Sequence, residues 1–123
     1  ACTPPSIPTP RPESEPVTAH LTTHVLDTTG GTPAAGVAVT LRDASGGTIA
    51  EAVTDADGRA GLGPELLAPG TYALTFDTGA YFAAHGTDCF YPSVTVDFTI
   101  TDARHYHVPL LLSPFSYSTY RGS

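Results

Sequence analysis

The chain has 123 residues, 41% of them hydrophobic, which is enough for one domain with a core and too little for two ordinary ones. Twelve acidic side chains face five basic ones, all arginine, and the net charge of −7 speaks against nucleic acid as a partner. No run approaches the ~20 apolar residues of a membrane span and the first residues lack the basic-then-apolar pattern of a signal peptide, so the expectation is a soluble protein, cytoplasmic by default, with no membrane partner.

Residues 1–17, ACTPPSIPTPRPESEPV, carry proline too often to sustain helix or sheet hydrogen bonding, and are expected to be a disordered tail or linker ahead of a domain spanning 18–123. Cys2 in that tail and Cys89 in a different kind of segment do not make a disulfide framework. From His20 onward short apolar-alternating runs are punctuated by Gly, Pro and Asp, the signature of an all-β domain. In chain order the expected strands are HLTTHVLD, VAVTLRD after the turn TTGGTPAAG, TIAEAVT after DASGG, RAGL after a tight DADG turn, and TYALTFD after the loop PELLAPG. TGAYFAAHG, rich in Ala and aromatic residues and free of Pro, is the one expected helix. SVTVDFTI alternates cleanly, TDAR turns, HYHVPLLL is a nearly continuous β run, and YSTYRGS finishes the chain. Around eight strands with hairpin-length connections make a two-sheet sandwich the natural architecture. Val25, Val37, Val39, Leu41, Leu74, Phe76, Val94, Val96, Phe98 and Ile100 are assigned to its core by parity.

Four of the five histidines form two evenly spaced pairs, His20 with His24 and His105 with His107. Even spacing on a strand puts both imidazoles on one face. His24 and His107 are the stronger candidates, whereas His20 and His105 could equally be ordinary surface residues. A His-x-His pair with a third histidine nearby also suits tetrahedral zinc. No Cys or carboxylate stands at ligand spacing with them, and Val108 to Leu112 offers no supporting polar shell, so we expect chemistry without a metal or other cofactor. Arg59, just past the turn glycine of TDADGRAGL, either pairs with Asp55 or Asp57 or grips a planar, carbonyl-rich or anionic ligand, a task its bidentate fork suits. The C-terminal SPFSYSTYRGS is unusually aromatic for a chain end and suggests an ordered last strand that fixes Arg121 and Ser123 in a site or a subunit contact.

Taken together, LTTHVLDTTGGTPAAGVAVTL, TDADGRAGL, FYPSVTVDFTI and HYHVPLLLSPFSYSTYRGS resemble the 5-hydroxyisourate hydrolase family over about residues 21–123. The terminal Tyr120-Arg121-Gly122-Ser123 is the most specific element. The resemblance implies a transthyretin-like β-sandwich of two four-stranded sheets with one short helix, assembled as a homotetramer whose sites lie between dimers. It implies catalytic roles for His24, Arg59, His107 and Ser123, substrate-binding roles for Arg59, Tyr120, Arg121 and Gly122, and 5-hydroxyisourate as the small-molecule substrate. In that reaction the histidines handle protons, Arg59 stabilises the charge that grows on a ring carbonyl, and Ser123 positions water or substrate. Two rivals compete. Transthyretin, a hormone binder, looks similar in LLSPFSYST, but an apolar ligand channel has no use for two histidines and an arginine. Small sandwich modules appended to other proteins resemble the first half of the chain, but have no reason for HYHVP or YRGS.

Overall fold

The computed structural model describes residues 20–63 and 67–122. The Pro-rich segment 1–17, Cys2 and Ser123 lie outside the described residues. Among the described residues nine strands and one helix follow in the order β1 (Leu21–Asp27), β2 (Thr32–Pro33), β3 (Ala38–Asp43), β4 (Thr48–Val53), β5 (Arg59–Leu62), β6 (Gly70–Phe76), α1 (Thr78–Ala84), β7 (Val94–Ile100), β8 (Tyr106–Ser113) and β9 (Ser116–Thr119). They form two sheets, as expected of the alternating runs. One has the order β4-β3-β6-β7; the other runs β2-β1-β8-β9, with β5 also paired to β1.

The second sheet has five strands but is only four ranks wide. β5 pairs with Leu21–His24 and β2 with Leu26–Asp27, so the two share one edge of β1 end to end. The two-residue β2 falls in a stretch whose Gly and Thr content reads as a turn, because so short a strand has no alternation to display. The β1–β8 pair is parallel within an otherwise antiparallel structure. It is pinned from inside, where the buried Thr23 hydroxyl donates to the Val108 carbonyl at 2.6 Å.

Leu21, Val25, Leu62, Val108, Leu110 and Leu112 from one sheet meet Val39, Leu41, Leu74, Phe76, Val94 and Ile100 from the other, all nearly removed from water. Val96 and Phe98 have the right parity but are only partly buried, because β7 is a sheet edge. The helix is N-capped by Asp77, whose carboxylate accepts from the Ala80 N–H. It is tied to the far sheet by the Tyr81 hydroxyl, which donates to Asp27. Burial and that carboxylate push the Tyr81 phenol up to about 12, so it stays a donor throughout the physiological range.

Candidate active site

Because Leu21, Thr23 and Val25 face the core, Thr22 and His24 face outward from β1. Register then decides their neighbours. Antiparallel pairing sets His24 opposite Arg59 on β5, and parallel pairing sets Thr22 opposite His107 on β8. Residues from three segments far apart in sequence thus share one outer patch of one sheet.

The turn that delivers Arg59 is built from its own polar groups. The Asp55 carboxylate accepts the backbone N–H of Asp57 at 2.9 Å and of Arg59 at 3.0 Å, and the Gly58 N–H donates to the Asp55 carbonyl. Gly58 sits at φ 76° against the Val25 carbonyl oxygen, a place with no room for a side chain. Asp55 is thereby committed to the backbone. Among the described residues Arg59 makes no ion pair with Asp55 or Asp57, and its exposed side chain shares a hollow of about 340 Å³ with Thr22, Asp55, Gly61 and His105.

His107 is half-buried, and burial lowers its pKa below the ordinary 6.5. The charges of Arg59, His105 and His24 push in the same direction, and a hydrogen bond to the Thr22 backbone opposes them more weakly. The imidazole is therefore held neutral near pH 7, with a ring nitrogen available as a base. Its Nδ1 lies 2.9 Å from the Thr22 hydroxyl, which is also 2.9 Å from Nε2 of His105. The two imidazoles are near-parallel, with centroids 6.4 Å apart.

The chain end closes one side of this patch. The Gly122 N–H donates to the His107 carbonyl at 2.8 Å in an isolated antiparallel bridge. A Cβ at Gly122 would stand 2.5 Å from Cδ2 of the His107 ring, so the imidazole rests directly on the glycine. Arg121 has the opposite parity. Its guanidinium carbon lies 4.5 Å over the Tyr106 ring, a cation–π contact, and it borders a hollow with Arg104, His105 and Gly122. Tyr120 is exposed, next to Arg121 and Thr119 at the rim between the sheets.

Residues 21–122 match the family described as HIUase/transthyretin. The chain belongs to that family. A 5-hydroxyisourate hydrolase of Mus musculus is 48% identical over 111 residues, covering 84% of this chain and 94% of that protein. The Arabidopsis thaliana uric acid degradation bifunctional protein TTL is 45% identical over 84% of this chain, which spans only 37% of its length. Among solved structures, Klebsiella pneumoniae 5-hydroxyisourate hydrolase superposes with a TM-score of 0.78 at 45% identity, covering 84% of this chain and 98% of that one. Sea bream transthyretin in complex with thyroxine gives the same TM-score of 0.78 at 38% identity, covering 85% of this chain and 95% of that one. The HIUase/transthyretin backbone therefore does not separate a 5-hydroxyisourate hydrolase from a transthyretin in complex with thyroxine, and the side chains on it must.

Of the residues singled out in the sequence, the family fold brings His24, Arg59 and His107 to one face, with Gly122 beneath His107. Arg121 is turned toward Tyr106, and Ser123 lies outside the described residues. His20 takes no part. β1 begins only at Leu21, and the His20 ring is buried, accepting the Leu67 N–H on Nδ1 and standing edge-on to Tyr106. Thr22 was not singled out in the sequence, although its parity with His24 was the available signal. Among the described residues no three His, Cys, Asp or Glu side chains are grouped as metal ligands.

Proposed function

We propose that this chain hydrolyses 5-hydroxyisourate to 2-oxo-4-hydroxy-4-carboxy-5-ureidoimidazoline, a step of urate degradation, by acid–base activation of water. The observation that carries the reading is the convergence of His24, Arg59 and a half-buried His107 on one outward face. The water oxygen adds to the ring carbonyl carbon while a histidine takes its proton. The C–N bond then breaks, the departing nitrogen is protonated by the second imidazole, and the new carboxyl stays on the product. Proton transfer by a positioned histidine contributes roughly 100- to 10,000-fold. Arg59 meets the oxygen on which charge accumulates, and its fork matches a planar ring bearing several carbonyls. The family resemblance gives Ser123 a catalytic role and Tyr120 and Arg121 substrate-binding ones, and Gly122 supports the His107 ring.

The names carried by the mouse and Klebsiella relatives support this reading over the thyroxine-binding alternative. So does the chemistry of the face, since titratable imidazoles and a guanidinium serve proton transfer and not the holding of an apolar hormone. The assembly we propose is a homotetramer with sites between dimers. The deciding experiment follows the absorbance decay of freshly generated 5-hydroxyisourate, produced by urate oxidase, with and without the purified protein and a strong chelator. Acceleration that survives the chelator is expected. No acceleration refutes the function, and loss on chelation with recovery on zinc refutes the metal-free mechanism.

A further inference from the structure

We propose that Thr22 is a positioning residue whose hydroxyl bridges His107 to His105, fixing the tautomer of His107 and giving its proton an exit to solvent. The hydroxyl stands 2.9 Å from Nδ1 of His107 and 2.9 Å from Nε2 of His105. These two ring nitrogens are its hydrogen-bond partners among the described residues, so the hydroxyl serves no backbone group there. Thr22 has no freedom to drift, since it is opposite His107 in the β1–β8 register and the buried Thr23 hydroxyl locks that register from the other face.

A hydroxyl has one hydrogen and can accept others. It can therefore accept from one ring nitrogen and donate to the other, but cannot donate to both. When it donates to His105 Nε2 and accepts from His107 Nδ1–H, the lone pair of His107 Nε2 is free, which is the form a general base needs. After Nε2 takes a proton, His107 is an imidazolium. The Nδ1 proton can then pass to the hydroxyl oxygen as the hydroxyl's own proton passes to His105 Nε2. One O–H bond forms and one breaks, one N–H is lost and one gained, and the positive charge moves from His107 to His105. His107 is left neutral with Nε2–H while the second imidazole protonates the departing nitrogen; the reverse relay, with His105 Nδ1 taking a proton from water and His107 Nε2 giving one up, then resets both tautomers. His105 is exposed and can release its Nδ1 proton to water.

The charged surroundings of His107 drive the charge off that ring. His107 is faced by Arg59 from β5, by His24 from β1 and by His105, all of which disfavour its cation. His105 borders a hollow with Asp55 and Arg59 on one side and one with Arg104 and Arg121 on the other, and both open it to the water that takes the proton it receives.

The kinetic half of this proposal rests on the hydrolase reading, whereas the tautomer half does not, and the test separates them. Protein labelled with nitrogen-15 in its histidine rings is compared by NMR as wild type, Thr22→Val, Thr22→Ser and His105→Gln, and the same four proteins are assayed on 5-hydroxyisourate across pH. In the wild type His107 should show a protonated Nδ1 and an unprotonated Nε2. Thr22→Val keeps the shape and removes the bridge, so this bias should vanish and kcat should fall about 10- to 100-fold with KM little changed. Thr22→Ser should restore both, and His105→Gln should lower kcat and reshape its pH profile. Unchanged His107 ring signals in Thr22→Val overturn the bridge, as does a serine variant as impaired as the valine one. A His105→Gln enzyme with wild-type kcat and pH profile overturns the exit. If the valine variant does not fold, the serine and His105 variants still decide. A wild type inert toward 5-hydroxyisourate defeats the hydrolase reading, while the ring signals still judge the bridge.

Discussion

A histidine works as a base only while it is neutral, and His107 owes its neutrality to burial and to the positive charges beside it. If His107 must be neutral, the acid limb of kcat/KM lies below pH 6.5, and His107→Asn abolishes that limb while lowering turnover on the order of 100-fold with the fold intact. The same shift has a stability sign. The unfolded histidine takes up a proton near pH 6.5 that the folded one resists, so stability is full above that value and falls as pH drops toward the lower folded pKa. The Asn variant should lose this slope, which denaturant midpoints measured between pH 7 and 5 will show. Gly122 is read by contact. Gly122→Ala places a methyl 2.5 Å from the His107 ring and forces the imidazole to move, so turnover should fall about 10-fold or more with little change in thermal midpoint, since the shift happens at the surface. A wild-type rate in that variant would mean that the ring's seat does not matter. His24, Arg59 and His107 were legible in sequence because even spacing on strands and an arginine after a glycine turn are local patterns. Thr22 was not, because its role depends on pairing with a strand more than 80 residues away.

At the scale of elements, register makes the site. A one-residue slip of β8 against β1 would turn His107 toward the core and Val108 outward, and the Thr23–Val108 bond stands against it. The parallel β1–β8 pairing could not be read from the sequence, since alternation reveals which residues share a face and not which strand lies alongside. The same limit explains why His20 was paired with His24 on parity, when the strand starts one residue later and the His20 ring turns inward. The tight DADG turn was legible, and its cost is now specific. Gly58→Ala meets both a φ of 76° and the Val25 carbonyl, so it should destabilise the fold by about 1–3 kcal/mol. It should also weaken turnover, because the turn it distorts delivers Arg59. A variant with an unchanged unfolding midpoint and unchanged kcat would show that the turn tolerates a different geometry.

One chain offers its candidate site as an open outward face, with hollows bounded on one side only by β1, β5 and β8. A planar substrate held there has a wall beneath it and solvent above, a poor setting for electrostatic stabilisation, which strengthens when water is excluded. The same molecule carries surfaces that ask for covering. β7 and β9 are sheet edges with unpaired ladder groups, and Phe90, Phe115 and Val53 are 70%, 67% and 62% exposed. Unpaired edges are a template on which another chain can pair, and exposed apolar patches mark interaction sites. The proposed homotetramer answers both needs, joining edges into dimers and facing two outward sheets across a closed channel. We therefore expect sedimentation at micromolar concentration to give a mass near four chains of 12.7 kDa, and activity per chain to fall on dilution in step with loss of that species. Charge placed on the exposed apolar side chains, as in Phe115→Asp in the β8–β9 turn, should shift the mass downward and the activity with it, although Phe115 lies outside the catalytic face. A monomer with full turnover would show that a single open sheet suffices, and the closed channel would have to be abandoned as the reason for assembly.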